Sequence, residues 1–250
     1  MIDLNTISTR PPEDLSKKEA RKSSTARAKE IAELHQQLVA EKKHSVLVVL
    51  QGMDASGKDG AMRNVFGPCM PFGMRAVGWT KPTEEEFAHD FLWRIHKEAP
   101  AKGELVIFNR SHYEDVLIQR VNGWIDEEHV DRRFASINAF ERLLQYDNNT
   151  LILKFYLHLS KEQQEEELRE RLAEPEKYYK HNDGDWVERE KWDAYRAAYN
   201  DMLNRSEVPW HVIPVDSRWY RDYLMTDIVL KALKGLNMQW PALETDMDWE

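Results

Sequence analysis

Residues 45–60, SVLVVLQGMDASGKDG, constrain this chain more than any other stretch. The β-branched apolar run Val46–Leu50 feeds into Gly52, four residues, Gly57 and Lys58, the spacing of a phosphate-binding loop between a strand and a helix. Gly52 and Gly57 permit backbone angles closed to other residues. Successive N–H groups across Ala55, Ser56, Gly57, Asp59 and Gly60 can therefore turn inward around phosphate oxygens. Lys58 adds a point charge at a helix start whose dipole already favours anions. Asp59 stands where such loops usually carry the Ser or Thr that holds magnesium, and Asp54 places a second carboxylate inside the loop. Acids beside a phosphate cradle repel an anion unless they hold Mg²⁺ or accept a proton.

The rest of the chain supplies elements for a doubly covered sheet. Residues 1–12 read as a loose arm, and about 13–43 as a helix with Ile31, Leu34 and Leu38 on one side. Further strands are expected at 73–79, 104–108, 151–159 and 210–215. Thr83 with Glu86 forms a capping box for a helix running to about Lys97. Apolar spacing predicts helices over 126–146 and about 221–236. Strands alternating with helices predict an α/β fold with a parallel five-stranded sheet flanked by helices. The loops after Leu50, Trp79 and Phe108 are then expected to meet around one crevice, at the carboxyl ends of the strands. The division is an arm and helix at 1–43, a catalytic domain at 44–240, and an acidic tail at 241–250 without apolar period.

After the third strand comes Phe108-Asn-Arg-Ser-His-Tyr-Glu-Asp115. Arg110 there can clamp a phosphate with two parallel hydrogen bonds. Ser111 is a candidate helix cap, and Glu114 and Asp115 are either metal ligands or first-turn acids favoured by the helix dipole. Residues 160–190 form a candidate lid: Ser160 and Gln163 cap a helix, Pro175 interrupts, and Asp185-Trp-Val-Glu188 is a second capping box. Two helices on a polar hinge can close over a phosphate site and exclude water, which otherwise takes the phosphoryl group. Lys177, Lys180 and Arg189 are the lid cations placed to follow a polyanion, with a solvated helical face as the alternative. Trp186, Trp192 and Tyr195 are base-stacking candidates or core packing, and His89, His112 and His158 fit no zinc spacing.

The formal charge of −9 argues against general nucleic-acid coating, while a local basic cluster is enough to focus a phosphate substrate. One cysteine, Cys69, leaves no internal disulfide and fits a reducing compartment. With no long apolar run, no membrane partner is expected and a cytoplasmic location is.

Seven segments in order resemble the polyphosphate kinase 2 family: GMDASGKDG, HDFLWR (89–94), FNRSHYEDV (108–116), KFYLHLSKEQ (154–163), RLAEPEKYYK (171–180), DWVERE (185–190) and WHVIPVDSRWY (210–220). The resemblance runs from about Lys43 to Leu236. It implies a P-loop kinase-like fold with a helical lid, and phosphoryl transfer with Mg²⁺ from inorganic polyphosphate to AMP or ADP. It further implies adenine nucleotides, with guanine as a second base, and a homodimer or homotetramer. On this resemblance Asp54 binds magnesium or accepts the acceptor's proton, Lys58 holds the phosphate in flight, and Arg110 clamps it. Lys81 matches a position facing the polyphosphate chain; Arg94 and Arg171 match positions where cations meet nucleotide or chain phosphates. Asn109 and Tyr113 join the phosphate- and nucleotide-binding set. Asn109 stands where many members have aspartate; the similar subgroup reading FNRSHYE, which resembles the members acting on both AMP and ADP, also has Asn there. Glu166 and Glu167 occupy lid positions that are usually basic, and residues 121–131 are short beside relatives with an insertion there. The rivals are an ATP-dependent nucleoside monophosphate kinase and a non-catalytic polyphosphate or nucleotide binder.

Overall fold

In the computed structural model, which describes residues 1–245, β1 (Ser45–Gln51) is buried along its whole length and lies at the centre of the sheet. The sheet is parallel throughout, in the order β2 (Met74–Gly78), β3 (Leu105–Asn109), β1, β4 (Thr150–His158), β5 (Trp210–Pro214). Side chains alternate along a strand, so a central strand must be apolar on both faces. Leu47 and Val49 enter one core cluster, whereas Val46, Val48 and Leu50 enter the other. All five are fully buried, and each contributes about 1.5–3 kcal/mol of transfer free energy. Helices α1 (Lys17–Glu41), α2 (Lys58–Phe66) and α10 (Arg218–Gly235) cover the second cluster. Helices α4 (Trp93–Lys97), α5 (Glu114–Val121), α6 (Glu127–Asn148) and α9 (Trp192–Arg205) cover the first.

Four expectations change. The arm is not loose: Leu4 is buried, its N–H donates to Asn200 Oδ1 (3.0 Å), and Arg196 donates to its carbonyl (2.8 Å). Farther along, Thr9 Oγ1 donates to Asp216 Oδ2 at 2.7 Å, so the segment straps α9 to the loop after β5. The helix expected from Thr83 to Lys97 is two: α3 (Glu84–Phe87), opened by the Thr83–Glu86 capping box, and α4. Between them Asp90 Oδ1 accepts from Leu92 N–H, a local turn that competes with helix. Helix α8 (Asp183–Glu190) starts earlier than its expected box, at the Asn182 cap, because the Asp185 carboxylate is taken by Arg171. Finally, Ser111 accepts from Tyr113 N–H but is not the N-cap of α5. The tail lies partly outside the described residues; 241–245 carry no helix or strand. No helix among the described residues is long and apolar enough to cross a membrane.

Candidate active site

The loop from Gly52 to Lys58 closes on its own lysine. Lys58 Nζ donates to Gly52 O (2.9 Å), Met53 O (3.1 Å) and Ser56 Oγ (3.3 Å). Its side chain is buried, and burial lowers its pKa to about 8 against the pull of Asp54. The glycines are required by space: a Cβ on Gly52 would sit 2.8 Å from Leu157 O, and one on Gly57 (φ +84°) 2.6 Å from Arg221 Nη1. Helix α2 starts at Lys58, so its first N–H groups open onto the same space.

The loop after β3 supplies the opposite wall. Arg110 holds a left-handed backbone (φ 63°), which costs a non-glycine residue about 1–2 kcal/mol. Its N–H donates to Leu50 O (3.0 Å) and its guanidinium to Asp54 Oδ1 (2.5 Å). Burial opposes charge on Asp54, but Arg110 and Lys58 outweigh it and hold the carboxyl below its ordinary range. Glu114 behaves oppositely: burial raises its pKa despite Arg110 and Lys58. Asn109 Nδ2 donates to Asp59 Oδ1 (3.0 Å), and Lys180 Nζ to Asp59 Oδ2 (2.8 Å).

Helix α7 (Lys161–Ala173), a 3-10 turn at Pro175–Lys180 and α8 form the lid, docked on the loop by Lys180–Asp59 and by Gln164 Nε2 to Asp54 O (3.0 Å). The lid cations expected to follow a polyanion are engaged: Arg171 with Asp185 (2.7 Å), Lys177 with Glu170 and Glu174 (2.7 and 2.6 Å), and Arg189 with Glu165 (2.9 Å). Glu167 faces the cavity but is met by Arg218 of α10 at 2.7 Å; Glu166 lines a different depression. Trp192 and Tyr195 are packed into the core, and Trp186 lies beside Arg169.

Two cavities meet here, sharing Asp54, Arg110, Asn182 and Asp185. The larger, about 620 Å³, is walled by Lys58, Arg63, Arg110, Arg171, Lys180 and Arg221. The smaller, about 440 Å³, has Ile118, Trp124, Val187, Tyr195 and Tyr199 in its wall. Asp54 and Glu114 both border the smaller cavity, while no group of three or more His, Cys, Asp or Glu is arranged to hold a metal among the described residues. That donor set fits magnesium, which keeps waters and takes one or two carboxylates plus substrate phosphate oxygens.

Several expected residues lie elsewhere. Arg94 is buried, donating to Thr80 O (3.0 Å) and Asp115 Oδ2 (3.4 Å) over the Trp79 ring, so neither it nor Asp115 faces the crevice. Tyr113 is fully buried, its hydroxyl shared by Lys154 Nζ (2.6 Å) and Glu141 Oε1 (2.9 Å). Lys81 is exposed and lines neither cavity, and the loop after β2 does not reach the crevice that α7 and α10 help to close. Arg221 stands outside every sequence motif named above. It is buried under the loop, donating to Gly57 O (2.9 Å) and paired with Asp222 (2.7 Å). The available signal was Arg218 and Arg221 one turn apart at the start of the helix following the last strand.

The Polyphosphate kinase 2 family model matches residues 14–241. The chain belongs to the polyphosphate kinase 2 family. It is 46% identical over 94% of its length to an AMP/ADP-polyphosphate phosphotransferase of Meiothermus ruber, covering 90% of that protein. It is 35% identical to an ADP-polyphosphate phosphotransferase of Rhodopseudomonas palustris, over 84% of this chain and 78% of that one. The crystal structure of polyphosphate kinase 2 from Arthrobacter aurescens superposes with a TM-score of 0.94 at 38% identity, covering 98% of this chain and 90% of the other.

Proposed function

We propose that this chain transfers a terminal phosphoryl group from inorganic polyphosphate to AMP or ADP. The named activities of the Meiothermus and Rhodopseudomonas relatives support the reading. The observation that carries it is the pair of cavities joined at Asp54 and Arg110, one in which eight lysines and arginines outnumber six carboxylates and the other with Ile118, Trp124, Val187, Tyr195 and Tyr199 among its polar lining. In this reading polyphosphate occupies the first and the nucleotide the second, so that donor and acceptor oxygens approach in line across Asp54. Lys58 exchanges its carbonyl partners for phosphate oxygens, and Arg110, oriented by Asp54, meets charge spreading over the transferred group. Closure of α7 and α8 excludes water. Asp54 would hold Mg²⁺, with Glu114 alongside; the ion neutralises phosphate charge when bound. The reading extends to adenine nucleotides, guanine secondarily, and to a cytoplasmic homodimer or homotetramer, as the family resemblance implies.

The test is incubation with AMP, Mg²⁺ and polyphosphate in the absence of ATP. ADP or ATP forms if the proposal holds. Product only when ATP is supplied points to a nucleoside monophosphate kinase, and calorimetric polyphosphate binding without turnover points to a non-catalytic binder.

A further inference from the structure

The cation-walled cavity does not end at the lid. Arg63, Asn64 and Arg218 on its rim also line a depression of about 700 Å³ between α1, α2 and α10, which continues past Arg21, Thr25 and Lys29. These α1 positions recur every four residues, a single stripe along the helix. Among the described residues the charged ends of Arg21, Lys29 and Arg63 have no hydrogen-bond or ion-pair partner, whereas the lid cations Arg171, Lys177, Lys180 and Arg189 are all paired.

A second depression also leaves from Arg218, toward α7, and shares Arg21 with the first; its four basic residues, Lys17, Arg21, Arg169 and Arg218, face Glu166, Glu167, Glu170 and Asp216, whereas Lys29 and Arg63 border the first alone of the two. The α1 depression sets Arg21, Lys29, Arg63 and Arg218 against Asp222 alone, and Asp222 is already held by Arg221 (2.7 Å) and Asn64 (2.7 Å). Arg218 is answered by Glu167 and Glu170, but in a chain of net charge −9 Arg21, Lys29 and Arg63 remain cations that a polyanion meets unneutralised.

We infer that polyphosphate too long for the active-site cavity leaves it over Arg63 and Arg218 and lies along the Arg21–Lys29 stripe of α1. The inference rests on polyphosphate being the donor. The stripe then contributes to the binding of long chains only, which makes chain-length preference a property of α1 and not of the catalytic loop.

The double variant Arg21→Glu/Lys29→Glu tests it, with Lys17→Glu, which borders the other depression and not this one, as the control. With long-chain polyphosphate the double variant is expected to raise KM about five- to tenfold at unchanged kcat. The dependence of log KM on log salt should flatten by roughly one to two, near 0.7 per lost cation. With linear tetra- and hexaphosphate both variants should match the parent, and Lys17→Glu should match it at every length. Equal KM values for parent and double variant on long chains overturn the inference. So does a change in sedimentation of the double variant, which would make this face a contact between subunits. Failure of the parent enzyme to turn over polyphosphate of any length would instead refute the donor assignment itself.

Discussion

Two lysines are buried among the described residues, and their surroundings differ in one respect. Lys154, in the middle of β4, has a carboxylate of its own, Glu141 Oε2 at 2.6 Å, with the Tyr113 hydroxyl as second partner at the same distance. Lys58, in the phosphate loop, is bonded only to neutral oxygens, two carbonyls and a hydroxyl. Burial lowers the pKa of both. The carboxylates nearest Lys58 are otherwise committed, Asp54 to Arg110 and Asp59 to Lys180 and Asn109. A buried cation with a dedicated carboxylate is finished structure. One surrounded by neutral acceptors is stabilised further by whatever anion arrives, and under the proposed function that anion is the phosphoryl chain.

The comparison breaks most visibly under truncation. Lys58→Ala should lower turnover by about 10³-fold or more, the scale for losing a preorganised charge at a transition state, while the thermal midpoint stays close to the parent's. Lys154→Ala should do the reverse. It strands Glu141, whose pKa, although opposed by burial, is held low by His112 and Lys154, and should cost about 3–5 kcal/mol in denaturant unfolding with kcat per folded molecule retained. Loss of activity in both variants, or loss of stability in both, would erase the distinction.

A smaller effect is expected from pH. Lys58 loses its charge above about 8, so kcat/KM for polyphosphate should fall above that pH, approaching tenfold per unit. Under saturating polyphosphate the bound anion favours the charged form, and kcat should decline only at higher pH. The stability sign is opposite. Because the folded pKa lies below the ordinary 10.5, the unfolded chain binds more protons between about 8 and 10.5, and this group's burial penalty fades across that window as pH rises.

The same contrast explains what could be read from the sequence. The strand, the glycine spacing and Lys58 are local, and the apolar periods of β1, α6 and α10 announce the covered sheet. Membership of a motif does not say which way a side chain points. Arg94 and Tyr113 sit in family-like segments yet turn into the core, where Asp115 and Glu141 wait on other elements. Arg221 is the converse: it touches Gly57 because α10 packs beneath the loop, a contact 164 residues apart whose partner the local Arg218–Arg221 spacing does not name. The lid acids show the same dependence, since the charge of Glu167 is answered by Arg218 on another helix.

The measurement closest to the central claim follows both ε-ammonium groups by heteronuclear NMR of labelled lysine, with Lys58→Arg and Lys154→Arg for assignment, as polyphosphate is added. The account predicts that Lys58, titrating near 8 in the free protein, moves upward on binding while Lys154 keeps its free-protein value. A Lys58 resonance that ignores polyphosphate, or a Lys154 that shifts as far, would contradict it.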